Sequence, residues 1–502
     1  MYVLCTTSAT TVDRLCVIGQ VTSISKLPDD VLLLIFDICV DEDPFTNWKR
    51  EMGTWQSLVH VCQQWRRIVF GSPRRLNLRI MCTQKTPVRD MLDVWPAFPV
   101  LVSIVPYSDL AEGEDNIVAA LERSDRIHRI ELILSGSSPL KNVLAAMQEP
   151  FPELTHLRLQ LGGEAVPVVP DSFLGGCAPR LQSLWLYGIP FPGLPKLLLS
   201  VTHLFYLRLE CIPPSGYHSP EEIVAALSAL TSLGSLFLDF YPPNSHPDQD
   251  SQRPPAPTRT VLPALTNLCL KGHGEYLENF VACIDTPRLD SLYMTFYDQV
   301  EFDTPQLGKF IGRTPMSNGF EQGCFAFEDY ESMVNLSSSQ TSGHRNLDVT
   351  FSCRDVMDWQ FSPCLERFCN LKRVCTLSLP PLHMLENLYI YGSPDSNFDL
   401  EEHSMMLYGI ENAQWLGLLR PFAAAKNLYL SERFAPHIVP ALEELYVGGR
   451  TIEVFPALQN IFLERLQPLG PVQEGIGQFV AARQATSNPI ALSRWDRHWD
   501  ST

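Results

Sequence analysis

No two cysteines in this 502-residue sequence are separated by two residues, so the paired Cys-x-x-Cys of zinc ribbons and dithiol redox sites is missing. The 14 cysteines stand singly. The densest group, Cys364, Cys369 and Cys375, has no common zinc spacing, so buried or idle thiols are expected. Basic residues are scarce: 38 Lys and Arg against 56 Asp and Glu, a net charge of -18 and a pI near 5.1. That balance argues against a nucleic-acid partner and against an anionic membrane surface, since both need a basic face. No apolar run approaches the ~18 residues of a membrane span. The first 23 residues have no early Lys or Arg and no sustained apolar stretch, which makes a poor signal peptide. The Asn335-Leu336-Ser337 sequon then reads as chance, and the chain as soluble, reduced, and cytoplasmic or nuclear. Enzyme signatures are missing as well. There is no phosphate-binding G-x-x-x-x-G-K-S/T, no G-x-G-x-x-G after a strand, no G-x-S-x-G and no H-E-x-x-H. The 12 histidines are dispersed: His60 fits a helix surface, and His156 and His203 fit turns before strands. No catalytic activity, cofactor or metal is expected.

What is present is apolar and patterned. Hydrophobic residues make up 45% of the chain, a globular composition. "LPDDVLLLIFDICV", residues 27 to 40, starts as a helix should. Pro28 suits the first turn, and Asp29 and Asp30 favour the positive end of the dipole. Val31, Leu34, Ile35 and Ile38 make one stripe at helical spacing; Leu32, Phe36 and Cys39 make a second. A second helix is expected over "TWQSLVHVCQQWRRIVF", with Leu58, Cys62, Trp65 and Val69 on one face. Trp55, Val59 and Val61 broaden that face, and Gly71 and Pro73 close the unit. Two short helices cannot bury this much apolar surface between themselves. The excess must face the rest of the chain or another protein.

The template L-x-x-L-x-L then recurs, starting at residues 127, 154, 181, 204, 233, 265, 289, 385, 425, 442 and 458. Its early spacing is that of a leucine-rich repeat, one strand plus one helix per copy, stable only when stacked. Helical stretches such as "PEEIVAALSAL" and "GEYLENFVACI" lie between copies. Gly188, Gly272, Gly392 and Gly449 end strands, where glycine allows a positive-φ turn. The Asn of regular repeats, expected after the strand, is absent, so the array is irregular. "YPPNSHPDQDSQRPPAPTRT", residues 241 to 260, cannot pack a core and is expected to loop out. The template lapses between 295 and 384, with a degenerate copy suggested at "NLDVTF". A final helix with Val472, Ile476, Phe479, Val480 and Arg483 on one face, followed by the strand "NPIALSRW", would close the array. The fold class expected is α/β.

In each copy the residue between the last two leucines points away from the leucines. In order these are Glu131, Arg158, Trp185, Arg208, Phe237, Cys269, Tyr293, Tyr389, Tyr429, Tyr446 and Phe462. Seven of the eleven are aromatic, on a face that should otherwise be wet. Aromatic residues and Arg dominate binding hot spots. Aromatics also simply favour strands, so both readings stand at this point.

"LPDDVLLLIF" followed by "LVHVCQQWRRIV" resembles an F-box, the motif that docks onto the Skp-type adaptor of SCF ubiquitin ligases. The resemblance implies adaptor contacts from Leu27, Pro28, Leu32, Ile35 and Phe36, and from Leu58, Val61, Cys62 and Trp65. Some of the second group would serve the F-box's own core. Residues 41 to 54 make a longer link than the usual F-box has and are expected to loop out. Further on, "WLGLLRPFAAAKNLYLSERFAPHIVPALEELYVGGR" and "FPALQNIFLERLQPLGPVQEGIGQFVAARQ" look like the tail of the F-box leucine-rich proteins of mushroom-forming fungi. The likeness covers residues 24 to about 497. It implies a disordered tail at 1–23, an F-box at 24–75, and a linker with an N-terminal cap at 76–126. An irregular leucine-rich solenoid at 127–466 and a C-terminal cap at 467–502 would follow. The expected partners are a Skp-type adaptor, through it a cullin, and an undefined target protein. A binding scaffold with the repeat but no ligase role is the alternative.

Overall fold

The alternation of leucine with other residues in the template produces strands, because side chains alternate between faces along a strand. The computed structural model describes residues 27–40, 54–71, 80–82, 88–94, 99–103, 114–135, 137–162, 167–240, 259–297, 304–317, 319–328, 331–338, 345–352, 363–380, 382–392, 410–447, 454–464, 470–485 and 489–495. The expected tail at 1–23, most of the inter-helix link, Gly449 and residues 241–258 of the proline-rich stretch lie outside these. Among the described residues the protein is mixed α/β, with fourteen α-helices and a large, mostly parallel sheet. The chain divides into two compact units, Met1–Glu131 and Leu132–Thr502.

The first unit begins with helix Asp29–Val40. Leu32, Leu33 and Phe36 are buried, whereas Val31 and Leu34 are 38% and 54% exposed. The expected second helix is two helices, Thr54–Val61 and Gln63–Gly71, that meet at Cys62. The Cys62 Sγ accepts the Trp65 N–H at 3.5 Å, standing in for a capping oxygen at the start of the later helix. Arg66 Nε donates to the Val59 carbonyl at 3.0 Å across the junction. Asp29 accepts from Gln64 Nε2 at 3.1 Å and pairs with Arg67 at 3.3 Å, which ties the first helix to the third. The Phe36 and Trp65 rings pack at 4.7 Å and 60°. The stretch expected as linker and cap carries strands of its own. β1 (Ile80–Cys82) pairs in parallel with β2 (Val100–Ser103), which pairs with the start of β3 (Ile127–Ser135).

The second unit contains β4 (His156–Gly162), β5 (Ser183–Tyr187), β6 (Tyr206–Ile212), β7 (Ser235–Phe240), the short β8 (Thr260–Val261), β9 (Asn267–Gly272) and the short β10 (Ile284–Asp285). It continues with β11 (Ser291–Tyr297), β12 (Gln322–Phe327), β13 (Glu331–Ser337), β14 (Asn346–Ser352), β15 (Asn387–Gly392), β16 (Asn427–Leu430), β17 (Asn460–Glu464) and β18 (Ala491–Trp495). The spatial order is β4-β5-β6-β7-β9-β11-β14-β13-β12-β15-β16-β17-β18; β8 and β10 form a separate pair. The template leucines of β4, Leu154, Leu157 and Leu159, are buried, and so are their counterparts on β5, β6, β7 and β9. They share the core with apolar residues of the connecting helices. On β12, Phe327 packs against Phe368, Trp415 and Phe434 at 6.1, 5.9 and 5.2 Å. Helix Pro220–Leu227 starts at a capping box, in which Ser219 and Glu222 satisfy each other's backbone N–H groups.

The lapse in the template is an antiparallel insertion. β14 is the degenerate copy and pairs in parallel with β11, Leu292 opposite Leu347. β12 pairs in parallel with β15, and β13 runs antiparallel between β12 and β14. One further expectation is corrected. "LEELYV" is not a strand but part of helix Ala435–Val447, in which Ile438, Val439, Leu442 and Leu445 are buried. L-x-x-L is i, i+3 spacing and suits a helix as well as the approach to a strand, so the motif was ambiguous there. Of the strand-end glycines, Gly188 has a φ of 68°, as the turn requires. Gly392 has another reason: a Cβ would come within 3.3 Å of the Phe327 carbonyl and the Phe434 ring. The closing helix Pro471–Ala485 and β18 form as expected, and Ile476, Phe479 and Arg483 are buried.

Candidate functional site

Strand register aligns the outward residues of the second unit into one row. It runs Arg158, Trp185, Arg208, Phe237, Cys269 and Tyr293. It then passes through Asp348, Asn335 and Cys324 to Tyr389, Tyr429, Phe462 and Ser493. Every member is at least part-exposed, between buried neighbours along most strands. Nine of the expected residues are therefore brought together. Tyr446 is not, since its backbone belongs to a helix. Glu131 lies in the first unit, where it accepts from Arg129 Nε at 2.7 Å. Asp348, Asn335, Cys324 and Ser493 complete the row without having been expected, because the first three come from the insertion and Ser493 from a strand without the template.

The row has three zones. At one end cations alternate with rings. The Arg158 and Arg208 guanidinium carbons lie 3.7 and 4.5 Å from the Trp185 ring centre, on neighbouring strands at either side. Arg208 also lies 4.3 Å from the Phe237 ring centre, and Lys271 Nζ 5.7 Å from it. Arg208 donates to both Glu210 carboxylate oxygens at 2.8 and 3.0 Å, which fixes its plane. The middle zone is polar. Asp348 accepts from Asn335 at 3.2 Å and from Thr350 at 2.8 Å, and Asn346 donates to the Tyr293 hydroxyl at 3.0 Å. Burial pushes the Asp348 carboxyl above the usual carboxylate range despite those donors. Burial also pushes the Cys269 thiol up to about 12, which removes it as a nucleophile at neutral pH.

The third zone is aromatic. Tyr389 and Tyr429 stack at 4.3 Å and 14°, and Tyr429 and Phe462 at 4.5 Å and 7°. Below them runs an amide ladder: Asn427 donates to Asn387 at 2.8 Å and Asn460 to Asn427 at 2.7 Å. The sequence carried a signal for this ladder, an Asn directly before the second apolar residue of "LENLYI", "AKNLYL" and "LQNIFL".

The second candidate surface is on the N-terminal helices. Pro28, Val61 and Cys62 are exposed, and Leu27, Ile35, Leu58 and Trp65 are half-buried. Leu32 and Phe36 are wholly buried, which moves them from docking surface to helix interior. Val31 and Leu34 take their place, with Val61 at 56% exposure.

Among the described residues, no group of three His, Cys, Asp or Glu side chains is placed to hold a metal ion, and no helix is long and apolar enough to cross a membrane. Two clefts of about 530 and 550 Å³ open beside helix Pro363–Leu377, and neither is lined by a residue of the row. Compared with known proteins, the chain matches no family model and no curated sequence.

Proposed function

We propose that the chain is the substrate-recognition subunit of an SCF-type ubiquitin ligase. The N-terminal helices are an F-box that binds a Skp-type adaptor, and the sheet is the inner face of an irregular leucine-rich solenoid that binds a target protein. The observation that carries the reading is the exposure of Val31 and Leu34 on the first helix, following Leu27 and Pro28, and of Val61 on the second, in the segment whose motif resembles an F-box. A helix surface of this kind is stabilised by a partner, since burying one large aliphatic side chain contributes roughly 1.5–3 kcal/mol. The continuous row on the second unit supports the second half of the reading. Its aromatic and Arg content is that of a protein-binding surface. The chain does no chemistry in this scheme. It holds a target near the ubiquitin-carrying enzyme and so raises the effective concentration of the reacting groups.

The test is co-purification. Leu27→Ala/Pro28→Ala should lose the Skp-type adaptor while the circular-dichroism spectrum and melting temperature stay close to wild type. Retention of the adaptor at wild-type level would overturn the F-box reading and leave a binding scaffold.

A further inference from the structure

Trp495 reaches back across the sheet. It belongs to β18, which pairs with β17, yet its ring packs on Tyr429 of β16 and Tyr389 of β15, with centres 5.5 and 6.0 Å away. Tyr389 and Phe462 already cover both faces of Tyr429. Trp495 therefore meets the edge of Tyr429, at an interplanar angle of 68°. Ring faces are electronegative and ring edges electropositive, so a stack with its edges outward is best completed by a ring that presents its face.

On the N-terminal side of each strand the rings have uncharged neighbours. Cys324 and Ser493 flank the rings in the row, and the positions two residues earlier are Gln322, Asn387, Asn427, Asn460 and Ala491. None of these is charged, and the carboxamides of Asn387, Asn427 and Asn460 are bonded to one another; on the other side of the rings Glu464 stands opposite Trp495, its carboxylate accepting the Glu432 N–H at 3.3 Å. The cations Arg158, Arg208 and Lys271 stand on β4, β6 and β9, many strands away. Trp495 is itself half-exposed and ends the last described strand, so moving its ring aside opens no core.

We infer that Tyr389, Tyr429 and Phe462 form a receptor for an aromatic side chain of a partner protein, and that Trp495 is its internal occupant. A partner's ring displaces Trp495 and takes over the contact with the edge of Tyr429. The inference rests on the reading that this face holds a target protein. It does not rest on adaptor docking.

The experiment titrates N-acetyl-tryptophanamide into the full chain, without adaptor, and follows binding by saturation-transfer NMR. Trp495→Ala empties the receptor and should bind the probe about tenfold more tightly than wild type, because an internal competitor lowers apparent affinity by the fraction of sites it occupies. Adding Tyr429→Ala should abolish that binding, and N-acetyl-leucinamide should bind markedly less well than the tryptophan probe. Equal binding by wild type and Trp495→Ala, or no binding by either, overturns the inference. So does equal binding of the leucine probe, which would mean a plain apolar surface. If Trp495→Ala melts well below wild type, Trp495→Leu replaces it and should still bind the probe more tightly than wild type. Failure here leaves adaptor co-purification untouched, and loss of the adaptor reading leaves this titration untouched.

Discussion

The guanidinium of Arg208 lies against the Trp185 ring, its carbon 4.5 Å from the ring centre. With Arg158 on the neighbouring strand at the other side, one ring is held between two cations. Such contacts contribute about 0.5–1 kcal/mol each at exposed sites. They also hold long, mobile side chains in one arrangement, which lowers the entropy lost when a partner binds.

The row should therefore be separable from the fold. Trp185→Ser, Tyr389→Ser and Tyr429→Ser together should abolish target capture in a pull-down with mass spectrometry. Adaptor binding should persist, and stability should fall by about 0.5–3 kcal/mol per substitution, since none of the three is fully buried. A much larger loss in denaturant titration would assign these rings to the core. Tyr446 has no place in the combination, because it lies on a helix.

On the first helix, neighbouring leucines should behave oppositely. Leu34→Asp should leave thermal stability nearly unchanged and prevent adaptor co-purification, because Leu34 is exposed. Leu32→Ala removes a fully buried side chain and should cost about 2–5 kcal/mol locally. Hydrogen exchange across residues 29 to 40 separates the two effects. Equal protection in both variants would contradict the helix orientation described here.

Arg483 should be indispensable to the closing end of the sheet. It is fully buried, and its Nη2 donates to the carbonyls of Phe455, Pro456 and Leu458 at 3.3, 3.4 and 3.3 Å. Arg483→Ala leaves these acceptors without their donor and opens a cavity. A cost of about 3–5 kcal/mol is expected in urea titration.

Asp348 makes stability fall with rising pH. Its folded-state pKa is raised by burial, so its contribution is fully present below the ordinary carboxylate pKa and is lost as pH rises through the raised value. Asp348→Asn removes the charge and keeps the shape. Its melting temperature should exceed wild type at pH 7, and the difference should shrink towards pH 4. A difference that grew on acidification would reverse the assigned direction.

Much of this was legible in the residues. The template leucines are core because alternation within a strand is a local property. Arg158, Trp185, Arg208, Phe237, Cys269, Tyr293, Tyr389, Tyr429 and Phe462 fall on one row for the same reason. Where the local signal is degenerate, it does not decide the element. "LEEL" satisfies helix and strand spacing alike, and Cys62 interrupts a helical pattern without any glycine or proline to mark the break.

Which residues alternate and which stripes are apolar depend on neighbours a few positions away, and so could be read directly from the residues. Neighbours across the sheet depend on contacts between segments far apart in the chain. A degenerate copy at "NLDVTF" marks the strand of Asp348, but no local pattern could place Asn335 and Cys324 between it and Tyr389, because β12, β13 and β14 enter the sheet in reverse order. Nor could any bring Trp495 over Tyr429, 66 residues earlier in the chain. Which apolar stripe of the first helix turns inward was likewise settled by Trp65, whose ring meets Phe36 and leaves Leu34 outside. Strand order and ring contacts arise from packing between distant segments, and their energy depends on every element that must be in place before they form.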